Sequence, residues 1–167
     1  MTTNTTKGTT NSTNNAGTMK TDGLAASTLV AGRDVKDFTL TPSMVDVRGW
    51  EVFGPGGVKI GFVDRIMLDR TEMKPRYLRI ALLERNDHLL LPIGIGTLDP
   101  AQKRLLLDSM PPETLKAIPV LAADVVTHDF ERRVYGAVTG KKDTSSMPGQ
   151  WYADPVFDPK NLMTAKA

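Results

Sequence analysis

VKIGFVDRIMLDRTEMKPRYLRIALL, residues 58–83, is the stretch whose reading decides the fold. Two apolar runs, VKIGFVDRIMLDR (Val58–Arg70) and RYLRIALL (Arg76–Leu83), flank a short charged segment, so they read as two strands joined by a turn. In the second run Leu78, Ile80 and Leu82 share one face and Tyr77, Arg79 and Ala81 the other, the period of two that marks a half-buried strand. Gly61 inside the first run predicts a bulge or a sharp curl.

Outward from this pair the texture repeats. VDVRGWEVFG (Val45–Gly54) reads as an earlier strand, and GPGG (Gly54–Gly57) as the hairpin turn that follows it, where glycine accepts positive φ. HLLLPIGIG and RLLLDS follow, separated by the turns ERND and LDPAQ. Leu89, Leu90 and Leu91 run without a break, which a strand tolerates when both of its faces are covered. Five curled strands at this spacing predict a mainly β fold, a small closed β-barrel.

Two short helices are expected after the barrel. SMPPETLKAIP (Ser109–Pro119) offers Ser109 as a cap, prolines for a first turn and Pro119 as a stop. In THDFERRVYGAVTG, Thr127 caps, Asp129 and Glu131 sit in the first turn, Phe130, Val134 and Val138 recur every four residues, and Gly136 or Gly140 ends the helix.

The ends differ in composition. Residues 1–23 are dominated by Thr and Asn and cannot bury enough surface to offset ordering, so a disordered arm is expected, followed by a docking segment or linker over 24–41. The resulting division is an arm and linker over 1–43, a barrel domain with its closing helix over 44–140, and a disordered or extended tail over 141–167. Trp151, Tyr152 and Phe157 in that polar tail predict anchors against some surface.

Composition removes several function classes. The chain has 167 residues, 21 basic against 19 acidic, and no cysteine. Near-balanced charge leaves no basic stripe for nucleic acid. Thiolate chemistry is absent, and His88 and His128, the two histidines, lack a metal-ligand spacing. No apolar run is long enough to span a bilayer and the first residues hold no apolar signal core, so a cytoplasmic protein is expected.

Candidate chemistry is sparse. GPGG lacks the spacing and the following helix of a phosphate loop and reads as a turn. Asp64, Asp69 and Glu72 alternate with Arg65, Arg70 and Arg76, a pattern that suits a salt-bridge lattice better than an acid and base pair. Glu84, Asp87 and His88 form the one local cluster in which a proton relay could be sought, against the plainer reading of His88 as an exposed turn histidine. His128 reads as an exposed first-turn residue. With no catalytic, cofactor or metal constellation, the expectation is a non-enzymatic protein.

The segments GGVKIGFVDRIMLD, RYL, LLPIG and LLLDSMPPETLKAIP, in this order, resemble a PRC-barrel domain. This fold is shared by the cytoplasmic part of the photosynthetic reaction-centre H subunit and the C-terminal domain of the ribosome-maturation factor. DRTE followed by RYL, the IPVL segment and the closing helix are similar to the H-subunit branch. The resemblance implies that Asp69, Arg70, Glu72, Arg76 and Tyr77 belong to a shared surface and core. It also implies a partner: a membrane complex of reaction-centre type, bound peripherally on its cytoplasmic face, with no cofactor in the domain itself. Two departures stand out. A Thr/Asn arm occupies the end where the H branch has its membrane helix, and Arg79 stands where that branch commonly has a glutamate associated with proton delivery to quinone. The rival reading is a free-standing soluble binding module in stress response or ribosome and RNA–protein assembly.

Overall fold

The computed structural model describes residues 29–32, 40, 42–122, 125–142 and 150–162. The expected Thr/Asn arm lies outside the described residues, as do 143–149 and 163–167 of the expected tail. The described chain is mainly β: β1 (Leu29–Ala31), β2 (Glu51–Phe53), β3 (Lys59–Asp69), β4 (Lys74–Leu82), β5 (His88–Pro92), β6 (Thr97–Asp99), β7 (Arg104–Leu106) and β8 (Val120–Leu121), with helices α1 (Pro112–Ala117) and α2 (His128–Thr139). All eight strands join one sheet in the order β6-β7-β2-β3-β4-β5-β8, with β1 paired to β3 beyond the end of β2. The segment that read as docking or linker thus supplies a strand, pairing Leu29–Ala31 with Met67–Asp69.

The long β3–β4 hairpin forms as its sequence predicts. It is offset at Val63/Arg65 and at Met67/Leu68, and these irregularities curl the sheet. Gly61 stands beside an irregularity of the expected kind, since Val52 pairs with Gly61 but Phe53 with Lys59, and a Cβ there would collide with the Ala81 carbonyl oxygen, so the glycine also allows β3 and β4 to approach closely. The first expected strand is shorter than read. Only Glu51–Phe53 pairs, because Val47–Trp50 turns through Gly49 at φ 81°.

The expected closed barrel is corrected. The hydrogen-bonded order ends at β6 and β8, which do not pair with each other. β6 has three residues and is followed by Pro100, while β8 has two and is preceded by Pro119. Strands this short, bounded by residues without an N–H, cannot carry a ladder across the remaining gap. Three of the eight strands, β1, β6 and β8, escaped the five-strand reading because two or three residues show no period.

One face of the sheet holds Val52, Val63, Ile66, Leu78, Ile80, Leu89, Leu91 and Leu105, all buried, and forms the core. β4 is not half-buried as expected, since it is covered on both faces from Pro75 to Ile80. The second cover comes from α2 and the tail. Thr127 caps α2, its hydroxyl accepting from Phe130 N–H at 3.2 Å, and Gly140 ends it at φ 69°. α1 departs from expectation: Pro111, not Ser109, stands at its cap, held extended by Pro112 after it, while Met110 N–H is taken up in a turn by Leu107 O. Residues 150–162 form a strap of three single 3-10 turns lying back on the domain. Its backbone is tied by Gly94 N–H to Val156 O at 2.6 Å and by Val45 N–H to Leu162 O at 2.8 Å.

Candidate functional site on the outer face of the sheet

The strand register sets Arg104, Glu51, Phe62, Ala81 and His88 side by side across β7, β2, β3, β4 and β5. Alternation puts this row on the face opposite the core, together with Arg79 and Tyr77 farther along β4. The outer face so defined has an open half and a covered half.

At the open half Phe62 is 42 % exposed and Leu83 51 %. Leu83 N–H donates to Ile60 O at 3.1 Å, extending the ladder and bringing Leu83 beside the half-buried Ile60. The Arg104 guanidinium lies over the Phe53 ring at 5.0 Å, and Lys59 pairs with Glu51. An exposed apolar group rimmed by charged side chains is the form that a protein contact surface takes.

Between the halves sits an ionic cluster. Arg79 is buried and donates to Asp64 Oδ2 through Nε at 2.8 Å and through Nη2, while Arg65 Nε stands 3.5 Å and His88 Nε2 3.8 Å from the same oxygen. A buried guanidinium is tolerable because this carboxylate answers it. His88 therefore faces Asp64 on the neighbouring hairpin. Glu84 lies exposed in the turn, and Asp87 is half-buried with its carbonyl accepting from Leu82 N–H.

The expected salt-bridge lattice is present at the β3–β4 turn. Arg76 reaches Glu72 at 2.8 Å and Asp69 at 3.8 Å, Lys74 reaches Glu72 at 3.0 Å, and Asp69 accepts from Thr71 N–H at 2.9 Å. The hydrogen bond from Lys74, with the charges of Lys74 and Arg76, holds the Glu72 carboxyl below the usual glutamate range. Glu72 and Arg70 are exposed, whereas Asp69, Arg76, Tyr77 and Arg79 are buried within the chain.

The covered half is roofed by the tail aromatics. Trp151 and Phe157 are buried and Tyr152 is half-buried, so the residues that read as anchors for a surface dock on the chain's own sheet and helix. Tyr77 meets Phe157 and Tyr152 edge-on at 5.2 and 6.4 Å, Tyr135 stacks on Trp151 at 6.3 Å, and the Arg76 guanidinium lies 4.4 Å above the Tyr152 ring. Beneath them Glu131 is 0 % exposed, its Oε1 accepting from Tyr152 Oη at 2.5 Å. Burial first, and then the charge of Glu131, push both the Tyr77 and Tyr152 hydroxyls upward, so both remain neutral.

Sequence reasoning missed Phe62, Leu83 and Glu131. In VKIGFVDR the apolar residues Ile60, Phe62 and Val63 fall on both parities, so alternation could not say which residues face out. Glu131 read as an ordinary first-turn acid, and its burial comes with contacts to Tyr152 of the strap and Tyr77 of β4 that no local pattern names. Among the described residues no group of three or more His, Cys, Asp or Glu is placed to hold a metal ion, and no helix is long and apolar enough to cross a membrane.

A search of curated proteins gives no match. A family-model comparison matches residues 43–113, from the loop before β2 to the start of α1, without singling out the reaction-centre H-subunit branch. Those residues are a PRC-barrel domain, which points to a small protein-interaction module, and α2 and the strap are built onto it.

Proposed function

We propose that the protein is a non-enzymatic docking subunit that packs through the open half of its outer sheet face onto a membrane complex of photosynthetic reaction-centre type. It binds peripherally, on the cytoplasmic face, stabilises the complex and assists proton or electron transfer toward quinone. The observation that carries docking is the exposed pair Phe62 and Leu83 beside the charged side chains of Lys59, Glu51 and Arg104. The identity of the partner rests on the likeness of DRTE, RYL, IPVL and the closing helix to the H-subunit branch. Asp64 lends support to the transfer role: it sets a carboxylate and His88 beside Arg79, the residue that replaces the glutamate of that branch.

The test is affinity purification of the full chain from its native membranes, wild type against Phe62→Glu with Leu83→Glu. Wild type is expected to bring down a pigment–protein complex, and the double variant to lose it while keeping the same thermal midpoint, since buried aromatic anchors at interfaces carry about 2 kcal/mol or more each. Release of the wild type from membranes by salt, without any pigment–protein partner, defeats the reaction-centre reading. Co-sedimentation with ribosomal subunits would instead favour the free-standing binding module.

A further inference from the structure

Residues 150–162 lie on the molecule as a docked segment. The strap's turns close on themselves, Asp154 N–H on Trp151 O, Phe157 N–H on Asp154 O and Asp158 N–H on Pro155 O, and among the described residues no strand pairs with it. What it gives to the rest of the chain is mainly side chains: Trp151, Phe157 and Leu162 are all buried. They fill a seat made by Arg76 and Tyr77 on β4, Glu131 and Tyr135 on α2, and the bare backbone at Gly94. Arg76, Tyr77 and Gly94 belong to the family domain at 43–113, whereas the strap lies beyond it. The domain thus carries a seat whose occupant comes from elsewhere in the sequence.

We propose that this seat recognises residues 150–162 as a linear ligand, and that a second copy of the chain binds there by placing its own strap in it. The ring contacts with Tyr77 and Tyr135, the Tyr152 bond to Glu131 and the Gly94 N–H bond to Val156 O pass through space, and none of them needs strap and seat to be covalently joined. A strap from another copy therefore meets the same partners at the same distances. Charge agrees with this occupant, since Asp154 of the strap pairs with Lys141 at the end of α2 and the Tyr152 ring lies under Arg76. A short connection gives docking within one copy an effective concentration on the order of a millimolar. The unsubstituted chain accordingly closes on itself when dilute and exchanges straps as its own concentration approaches that value. Neither Phe62 nor Leu83 takes part, so the exchange is independent of what docks on the open half.

Two full-length variants test this by complementation. Gly94→Val blocks the seat, because a Cβ there would lie 2.5 Å from Val156 O, and leaves the strap intact. Trp151→Ala with Phe157→Ala strips the strap and leaves the seat intact. Each alone is expected to sediment as a monomer, and their mixture as a species of twice the monomer mass, whether or not both also carry Phe62→Glu. Folded variants that stay monomeric when mixed overturn the proposal. So does a dimer that either variant forms alone, or one that Phe62→Glu abolishes, which would place the contact on the open half. If either variant fails to fold, the unsubstituted chain decides at about a millimolar, with labelled and unlabelled copies mixed and equilibrated by warming and cooling. Isotope-filtered spectra are expected to show Tyr77 of one copy against Phe157 of another, whose rings lie 5.2 Å apart in the docked contact. A sample that remains monomeric under those conditions overturns the proposal.

Discussion

Phe62 and Tyr77 lie on the same face of one sheet, on the paired strands β3 and β4, yet Phe62 is 42 % exposed and Tyr77 0 %. The strands do not make this difference, since alternation and register treat both residues alike. What differs is the chain that comes afterwards. Beside Tyr77, α2 brings Glu131, Gly94 leaves room for the strap backbone, and Tyr152 and Phe157, the latter stacked on Tyr135, complete the roof. Beside Phe62 the neighbouring strands present Glu51, Lys59 and Arg104, and the described chain supplies no roof. One half of the face has become a second core, while the other half remains a surface.

The sharpest way to break this contrast is to cut one aromatic from each half. Phe157→Ala empties a buried site and is expected to cost about 3–5 kcal/mol in urea unfolding. Phe62→Ser is expected to stay within about 0.5 kcal/mol of wild type. Equal losses would mean that the two halves are not the distinct environments described.

Next in size is the ionic boundary between the halves. Asp64→Ala removes a carboxylate to which the buried Arg79 donates and is expected to lose about 1–3 kcal/mol. Arg79→Met removes the charge and keeps the packing, so it should lose clearly less. Matching losses from the two variants would show that the guanidinium finds water and that Asp64 is dispensable.

A smaller change acts on the roof alone. A Cβ at position 94 would lie 2.5 Å from Val156 O and 2.7 Å from Pro155 O. Gly94→Ala should therefore displace the strap at a cost of about 1 kcal/mol or somewhat more. Trp151 should become more open to quenching while the far-UV spectrum of the sheet is kept. A strap that stays shielded in this variant would mean its side chains, not the close backbone approach, set its position.

How much of this was legible depends on the range of the interactions. Thr127 and Gly140 bounded α2 correctly because caps act within a few residues, and the GPGG turn was readable because Gly56 and Gly57 take positive φ as such a turn requires. The β3–β4 hairpin was visible in the alternation of RYLRIALL. The second cover over β4 was not, because Tyr77 and Phe157 are eighty positions apart and nothing local in either stretch names the other. For the same reason the packing of Trp151, Tyr152 and Phe157 on the chain's own sheet and helix could not be read from the tail. Openness of the sheet depends on β6 and β8, whose two or three residues are too few to carry a pattern.

The smallest expected effect concerns the end of the strap and sharpens the contrast by its direction. Asp154 accepts from Lys141 Nζ at 2.6 Å, from Tyr135 Oη at 3.0 Å and from Val156 N–H at 3.2 Å. The hydrogen bond from Lys141 is the largest cause holding its carboxyl below the usual aspartate range, with the Val156 N–H and the Tyr135 hydroxyl adding to it. A lowered carboxyl contributes stability that is fully present above the unfolded value of about 3.9 and is lost as pH falls through the lower folded value. The strap should therefore loosen slightly on the acid side, seen as greater quenching of Trp151 below about pH 4. Asp154→Asn should already be loosened at neutral pH and should lose this local acid response. An acid response that persists unchanged in Asp154→Asn would place its origin in another carboxylate and leave Asp154 as a simple cap for the turn at 155–157.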